Sequence, residues 1–352
     1  MSLALDFDVL RELTAAPGLP GREAPVADLI RRKMPTGWEL ESDPLGNLVA
    51  HRPGPGARLM FMAHMDEVGL IVQRITPQGF LKVDRLGGMG LRSLPGSRLT
   101  LWSDMGPLNA QVGVLPQHLE NRQYLELTDL YVDIGAGSAD EARRMGVQVG
   151  DGLTWRAHFE RLGETCFSSK ALDDRLGCFA LLSLAARELD TQADVCLAFV
   201  AQEETILAGG LPAVEKYRPD VLVGVDGTLT FDTPDTLNSQ CELVLGGGPA
   251  LKWMDAIRGK NAAFVPDRGL VQRVRTLAKS VGISLQDEVV SGISTALAPL
   301  TYTAGGVRSV ALSLPVRYHH SPAELADRRD VESLVNLLEK MVGEEWPVVR
   351  GD

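Results

Sequence analysis

Apolar and polar positions divide this chain into two textures. Up to residue 67, and again after about residue 160, apolar residues recur at helical spacing or stand together in short unbroken runs. Leu10 and Leu13 predict a helix over 6–15, and Val26, Leu29, Ile30 and Met34 predict a second over 24–34. Pro17-Gly18-Leu19-Pro20-Gly21 separates them. Asn47–His51 predicts a short strand. Arg58–Ala63 is an apolar run too short for a helix, so it predicts a strand covered on both faces. Val195–Ala201, Val221–Val225 and Val307–Val316 predict three more. Leu176–Leu189 is apolar almost all round, as a helix packed against a sheet must be. Asp267–Val281 and Val331–Val342 are amphipathic, with Gly282 and Gly343 as their stops.

Between Val68 and about Glu160 the runs are short, alternate in polarity and break at Gly and Pro, which predicts β-structure. One helix interrupts it, with Ser138 as N-cap, Glu141 as capping-box partner and Gly146 as stop. The predicted class is therefore α/β: a three-layer α/β/α domain formed by 1–67 and 161–352, with a small β-rich domain inserted at 68–160. Leu245-Gly246-Gly247-Gly248-Pro249-Ala250 predicts a turn whose backbone passes close to another group. It lacks the Gly-Lys-Ser/Thr of a phosphate loop.

A length of 352 residues fits two domains. Lys and Arg number 35 against 46 Asp and Glu, a net charge of −11, which argues against nucleic acid and anionic membranes as partners. No apolar run is long enough to span a bilayer, and acids stand near the N-terminus where a secretory leader would be basic, so a cytoplasmic protein is expected. Cys166, Cys178, Cys196 and Cys241 form no paired motif and are expected as buried free thiols.

The predicted strands share one property: they end in polar groups. Arg58–Ala63 runs into His64, Asp66 and Glu67, Val195–Ala201 into Glu203 and Glu204, and Val221–Val225 into Asp226. Asp173 and Asp174 open the buried helix, and the last strand delivers His319 and His320. Open α/β sheets place ligands at such strand ends. Six of these acids, Asp66, Asp173, Asp174, Glu203, Glu204 and Asp226, would repel one another in a shared cleft unless they are protonated or neutralised by cations, and nitrogen and oxygen donors suit zinc, cobalt or manganese. A pair of divalent ions balances this charge best. It also calls for one carboxylate that is not a ligand, to carry the proton of an attacking water. Glu203 and Glu204 can both face one cleft only if the strand ends or twists at Gln202.

His64-Met65-Asp66, Ala171-Leu172-Asp173-Asp174-Arg175, Gln202-Glu203-Glu204, Val225-Asp226 and Arg317-Tyr318-His319-His320-Ser321-Pro322-Ala323-Glu324 stand in this order. Together they resemble the M42 metallo-aminopeptidases, the family of tetrahedral cytosolic aminopeptidases. Arg85–Gly88, Leu94–Gly96 and Asp133–Ala136 extend the resemblance through the β-rich segment. The resemblance implies two divalent metal ions per subunit, zinc first, with cobalt or manganese as alternatives. Asp173 would bridge them, His64 and Asp226 would complete one site, and Glu204 and His320 the other. It implies Glu203 as general base, Asp66 as the acid that orients His64, peptides as substrates, and a homododecamer built from dimers through the inserted domain.

The chain departs from that pattern after Glu204, where Thr205-Ile206-Leu207-Ala208-Gly209 replaces the usual Val-Gly-Leu-Arg-Gly. Asp174 is expected to pair with Arg175, while Glu67 and His319 are left without a role. His51, His118 and His158 stand next to no strand-end acid and are expected at the surface or locally bonded. Two other activities use some of the same residues. A dinuclear hydrolase of another amide, a deacetylase or a carboxypeptidase, would share the metal set. A glycoside hydrolase would need carboxyls on opposite sides of a sugar, which the adjacent Glu203 and Glu204 are poorly placed to supply.

Overall fold

Four parallel strands lie side by side at the centre of the molecule, in the order Asp194–Val200, Arg58–His64, Val221–Leu229 and Ser309–Val316. The computed structural model describes residues 5–116, 118, 126–236, 241–256 and 263–348. Leu48–Arg52 and then Glu39–Ser42 extend the sheet antiparallel on one side. Ala250–Ala256 extends it on the other and pairs in turn with Gln286–Val289.

The central strands alternate their side chains between two cores, as the two-residue strand period requires. Leu59, Phe61 and Ala63 face a cluster with helices Phe7–Ala15, Ala24–Lys33, Leu172–Ala185, Arg268–Ser280 and Arg328–Val342. Met60 and Met62 face the opposite cluster, with Ala213, Val214 and Tyr217 of Leu211–Tyr217 and with Leu297 and Leu300. Helical elements on both faces of the sheet make three layers.

Gly69–Ile75, Leu81–Leu86, Val132–Asp133, Gly106–Val112, Arg98–Ser103 and Gly152–Trp155 close into a barrel around a third cluster that includes Leu70, Leu101, Val132 and Leu153. The helix Ala139–Arg144 lies within this segment. Ser138 accepts the N–H of Glu141 as predicted, but the Glu141 carboxylate takes the N–H of Gly137 rather than that of Ser138, so the reciprocal box is shifted by one residue.

Two other local expectations change, and one is met. The buried helix spans Leu172–Ala185 rather than starting at Leu176, although Asp173 and Asp174 within it have non-helical backbones. The strand from Val221 does not end at Asp226 but continues to Leu229, because it keeps pairing with Ser309–Val316 as far as Leu229 opposite Val316. On its other side, pairing with Arg58–His64 stops at Gly224 opposite Met62. The two strands part there, which opens a gap between His64 and Asp226. The glycine turn has its partner in Asp330, whose carboxylate accepts the N–H groups of Gly246 and Gly248 at 2.8 Å each. No helix among the described residues is long and apolar enough to cross a membrane.

Candidate metal centre

The carboxyl ends of the four parallel strands deliver the site. His64 is the last residue of its strand, and Val200 opposite it in register is the last of the next. After Val200 the chain turns sharply, with Gln202 at φ 58°, and Glu203–Ile206 forms one helical turn. That turn lets the adjacent Glu203 and Glu204 face one cleft, which an extended strand would forbid. Two carboxylates hold the turn in place: Glu23 Oε1 accepts the N–H of Gln202, and the two oxygens of Asp66 accept those of Glu203 and Glu204, all at 3.0 Å.

Asp173 stands among three histidines. Its Oδ1 is 3.2 Å from His64 Nε2, and its Oδ2 is 3.0 Å from Nε2 of both His319 and His320. His320 Nε2 lies 3.1 Å from Glu204 Oε1, and His64 Nε2 lies 3.7 Å from Asp226 Oδ1. The sequence-predicted donors His64, Asp173, Glu204, Asp226 and His320 therefore meet at one place, with Glu203 beside them on the wall of the same cavity. His64 Nδ1 contacts the Asp66 backbone carbonyl at 3.1 Å and its carboxylate at 3.4 Å. His320 Nδ1 faces the carbonyl of Gly88, 2.9 Å away.

Charge in this cluster is unevenly held. Burial opposes a proton on His64, but Asp173, Asp226 and Asp66 around it more than offset this and raise its pKa well above the ordinary histidine value. Burial opposes and Glu204 and Asp173 favour charge on His320, which is pushed up to about 12. Asp173 is held well below the carboxylate range, since the three histidines outweigh its burial. Burial and the neighbouring acids lift Glu203 well above its ordinary value and Asp226 to about 6.

The donor atoms fit a bound cation better than they fit one another. Glu203 Oε1, Glu204 Oε1 and His319 Nε2 are buried with no hydrogen-bond partner. Yet Glu204 Oε1 and His319 Nε2 lie within 3.1 Å of a neighbouring donor or acceptor. Close approach without alignment is the pattern expected of lone pairs aimed at a common point. One donor atom each from His64, Asp173 and Glu204, and likewise from Asp173, His319 and His320, come within 4.8 Å of one another. Such nitrogen and oxygen sets are those that zinc, cobalt and manganese accept.

Asp174 is also near His64 and Asp226, but each of its oxygens already has a backbone partner. They accept the N–H groups of His64 and Gly177. The expected Asp174–Arg175 pair does not form. Arg175 turns instead to the carbonyls of Met65, Leu13 and Ala16 and approaches Glu67 at 3.6 Å. Glu67 thereby acquires a role, neutralised by Lys170 Nζ at 2.7 Å from both its oxygens, and this buried pair braces the loop after His64. His51 is bonded to Asp194 at 2.7 Å, away from the cluster.

Sequence reasoning placed Glu324 in the motif but gave it no role. Its oxygens accept the N–H groups of His320 and Asp173, which ties the histidine loop to the aspartate. Burial lifts Glu324 to about 7, with His319 opposing and the Asp173 charge adding. The available signal was its place close behind the two histidines in the same segment. Glu23 gave none, since it precedes Gln202 by a long stretch of chain.

A sequence model of the family described as M42 glutamyl aminopeptidase matches residues 46–337. The chain is 30% identical to a lysyl aminopeptidase of Pyrococcus furiosus over 352 residues, which cover 98% of this chain and 99% of that one. Its fold is similar to that of an aminopeptidase from the archaeon Desulfurococcus kamchatkensis, with a TM-score of 0.92 and 32% identity over 96% of this chain and 94% of that one. It is also similar to the TET1 peptidase of Pyrococcus horikoshii, described as able to assemble into a tetrahedron or a large octahedral shell. There the TM-score is 0.84, with 30% identity over 96% and 99% of the two chains. With the strand-end donors in one cleft and the match running through most of its length, the chain belongs to the M42 family of metal-dependent aminopeptidases.

Proposed function

We propose that this enzyme removes single residues from the free N-termini of peptides, using two divalent cations, zinc first, held by His64, Asp173, Asp226, Glu204 and His320. The observation that carries the reading is Asp173, whose two oxygens each face a histidine from a different strand end. A carboxylate so placed suits a shared ligand. What such cations supply when bound is polarisation of a carbonyl and a lowered pKa for water.

The protein's own groups do the rest. Glu203 Oε1 has no hydrogen-bond partner among the described residues, and burial with the neighbouring acids raises its affinity for a proton; with cations offsetting those acids its carboxylate would be ionised, able to take a proton from water and return it to the leaving amine. Asp66 fixes Glu203 by its backbone and leaves the side chain free to do this. The excess of carboxylates attracts the substrate's ammonium group, which favours an aminopeptidase over a carboxypeptidase or deacetylase. We assign 68–160 to self-association and 1–67 with 161–352 to catalysis. The assembly proposed is a homododecamer built from six dimers, on the likeness to the TET1 peptidase, in a cytoplasmic enzyme.

Turnover of free and N-acetylated peptides, with and without chelator, tests the activity. Equal cleavage of both, or full activity in a metal-free preparation, would sink the proposal. Size-exclusion with light scattering tests the assembly separately.

A further inference from the structure

Three side chains from distant parts of the chain take the first four backbone N–H groups after Val200. Asn47 Oδ1 accepts that of Ala201 at 2.8 Å, ahead of Glu23 on Gln202 and Asp66 on Glu203 and Glu204. Asn47 also reaches the far end of the same loop, where its Nδ2 donates to the Gly209 carbonyl at 2.8 Å. Between these two contacts the chain carries Glu203, Glu204 and Leu207, all on the wall of the cavity of about 590 Å³ that holds His64 and Asp173. Asn47 itself is buried and is not among the residues that line this cavity.

A carboxamide suits this place, because one end of the side chain must accept and the other donate, which neither an ionised carboxylate nor an ammonium can do. Its orientation is set by its partners. Nδ2 faces two acceptors, the Gly209 carbonyl and Asp43 Oδ2 at 2.6 Å, while Oδ1 faces an N–H. The other oxygen of Asp43 accepts the N–H groups of Leu45 and Asn47, so the carboxylate that orients the amide is fixed as well. The loop needs such a clasp. Gln202 and Leu207 both stand at φ 58°, a left-handed conformation that residues other than glycine seldom take and that persists where the surroundings over-determine it. The two ends also touch backbone to backbone: a Cβ on Gly209 would stand 1.6 Å from the Ala201 carbonyl oxygen. Asn47 bonds to both of these residues, and so sets how the segment between them enters the cleft.

We propose that Asn47 is a positioning residue for the reaction: by closing the loop 201–209 it holds Glu203 where its carboxylate can exchange a proton with the attacking water. This rests on the aminopeptidase reading with Glu203 as proton carrier. Since Asn47 has no surface in the cavity, its loss should leave substrate affinity alone and act on rate, through the place of one carboxylate. A misplacement of about 1 Å is enough to cost up to about 100-fold.

The test is a double-mutant cycle between Asn47→Ala and Glu203→Gln, read as kcat and KM on leucyl, lysyl and glutamyl anilides with zinc, cobalt or manganese in excess. Asn47→Ala alone is expected to lose about 10–100-fold in kcat, with KM within about threefold of wild type. In the Glu203→Gln background the same substitution should cost less than about threefold, since no proton carrier is left to misplace. Equal losses in the two backgrounds, or a loss confined to KM, would show that Asn47 only supports the fold and would overturn the proposal. So would a kcat restored in full by raising the metal concentration, which would put the effect on Glu204. Asp43→Ala keeps the test valid if Asn47→Ala does not fold. It removes the group that orients the carboxamide and should show the same pattern at about 3–10-fold, the worth of one hydrogen bond. Cleavage of none of the anilides by wild type would overturn the aminopeptidase reading, and a Glu203→Gln enzyme as fast as wild type would remove the proton carrier, each taking the proposal with it. Metal-dependent cleavage with additive losses overturns the positioning role alone.

Discussion

Asp66 grips Glu203 by its backbone: Oδ1 accepts the Glu203 N–H and Oδ2 accepts that of the next residue, both at 3.0 Å. A side chain that anchors the proposed base in this way should matter more to rate than to substrate affinity. In Asp66→Asn one oxygen becomes an amide donor pointed at an N–H, and kcat should fall about 10–100-fold with little change in KM. A change confined to KM would show that the turn holds its shape without Asp66.

Glu203 and Glu204 should separate under substitution. Glu203→Gln is expected to lose about 10²–10⁴-fold in kcat and keep its metal, from the role of proton carrier proposed for it. Glu204→Gln should lose metal from one site. Elemental analysis of both variants decides, and equal metal loss would show the roles misassigned.

Removing the cations should expose the repulsion among the site's acids. A chelated preparation is expected to lose turnover and to melt at lower temperature, with both restored by zinc, cobalt or manganese. Metal analysis of the restored enzyme should give about two ions per chain, the number that fits a bridged pair.

Asp330 predicts a pH effect that is independent of catalysis. Burial raises it to about 6, against the N–H groups of Gly246 and Gly248. Between its ordinary value and 6 the folded state holds the proton more tightly than the unfolded chain. Ionisation as pH rises through that window therefore costs stability, and the cost is complete above pH 6. Urea unfolding of the chelated protein should show wild type losing about 2–3 kcal/mol relative to Asp330→Asn between pH 4 and pH 7. A constant difference would place the Asp330 pKa at its ordinary value.

The donors were legible because buried parallel strands announce themselves as apolar runs, and a polar group just past such a run has to lie at a sheet end. His64, Glu203 and Glu204 follow this rule. Asp226 follows it only in part: an extra stretch of pairing with Ser309–Val316 carries the strand beyond it, and no local pattern encodes that. Asn47 was not legible as a clasp, since it reads as the opening of a short strand until the fold sets it against Ala201 and Gly209. Asp174 misled for a related reason. Sequence neighbours suggest a pair with Arg175, while the fold offers the carboxylate two amide N–H groups and the arginine three carbonyls.

The Gly88 carbonyl that faces His320 belongs to the segment between two barrel strands, whereas the imidazole belongs to the turn that follows the main-sheet strand Ser309–Val316. Its neighbour Gly87 has φ 88°, and a Cβ there would stand 2.6 Å from Val68 and 3.3 Å from Glu204. Gly87→Ala should therefore lower activity by pressing on Val68 and Glu204, with every donor residue still in place. The barrel is thereby joined to the metal centre as a lever: a displacement of the Gly87–Gly88 segment would be passed through the carbonyl contact to the His320 imidazole. Inhibitors aimed at that lever could silence the enzyme without entering the cleft.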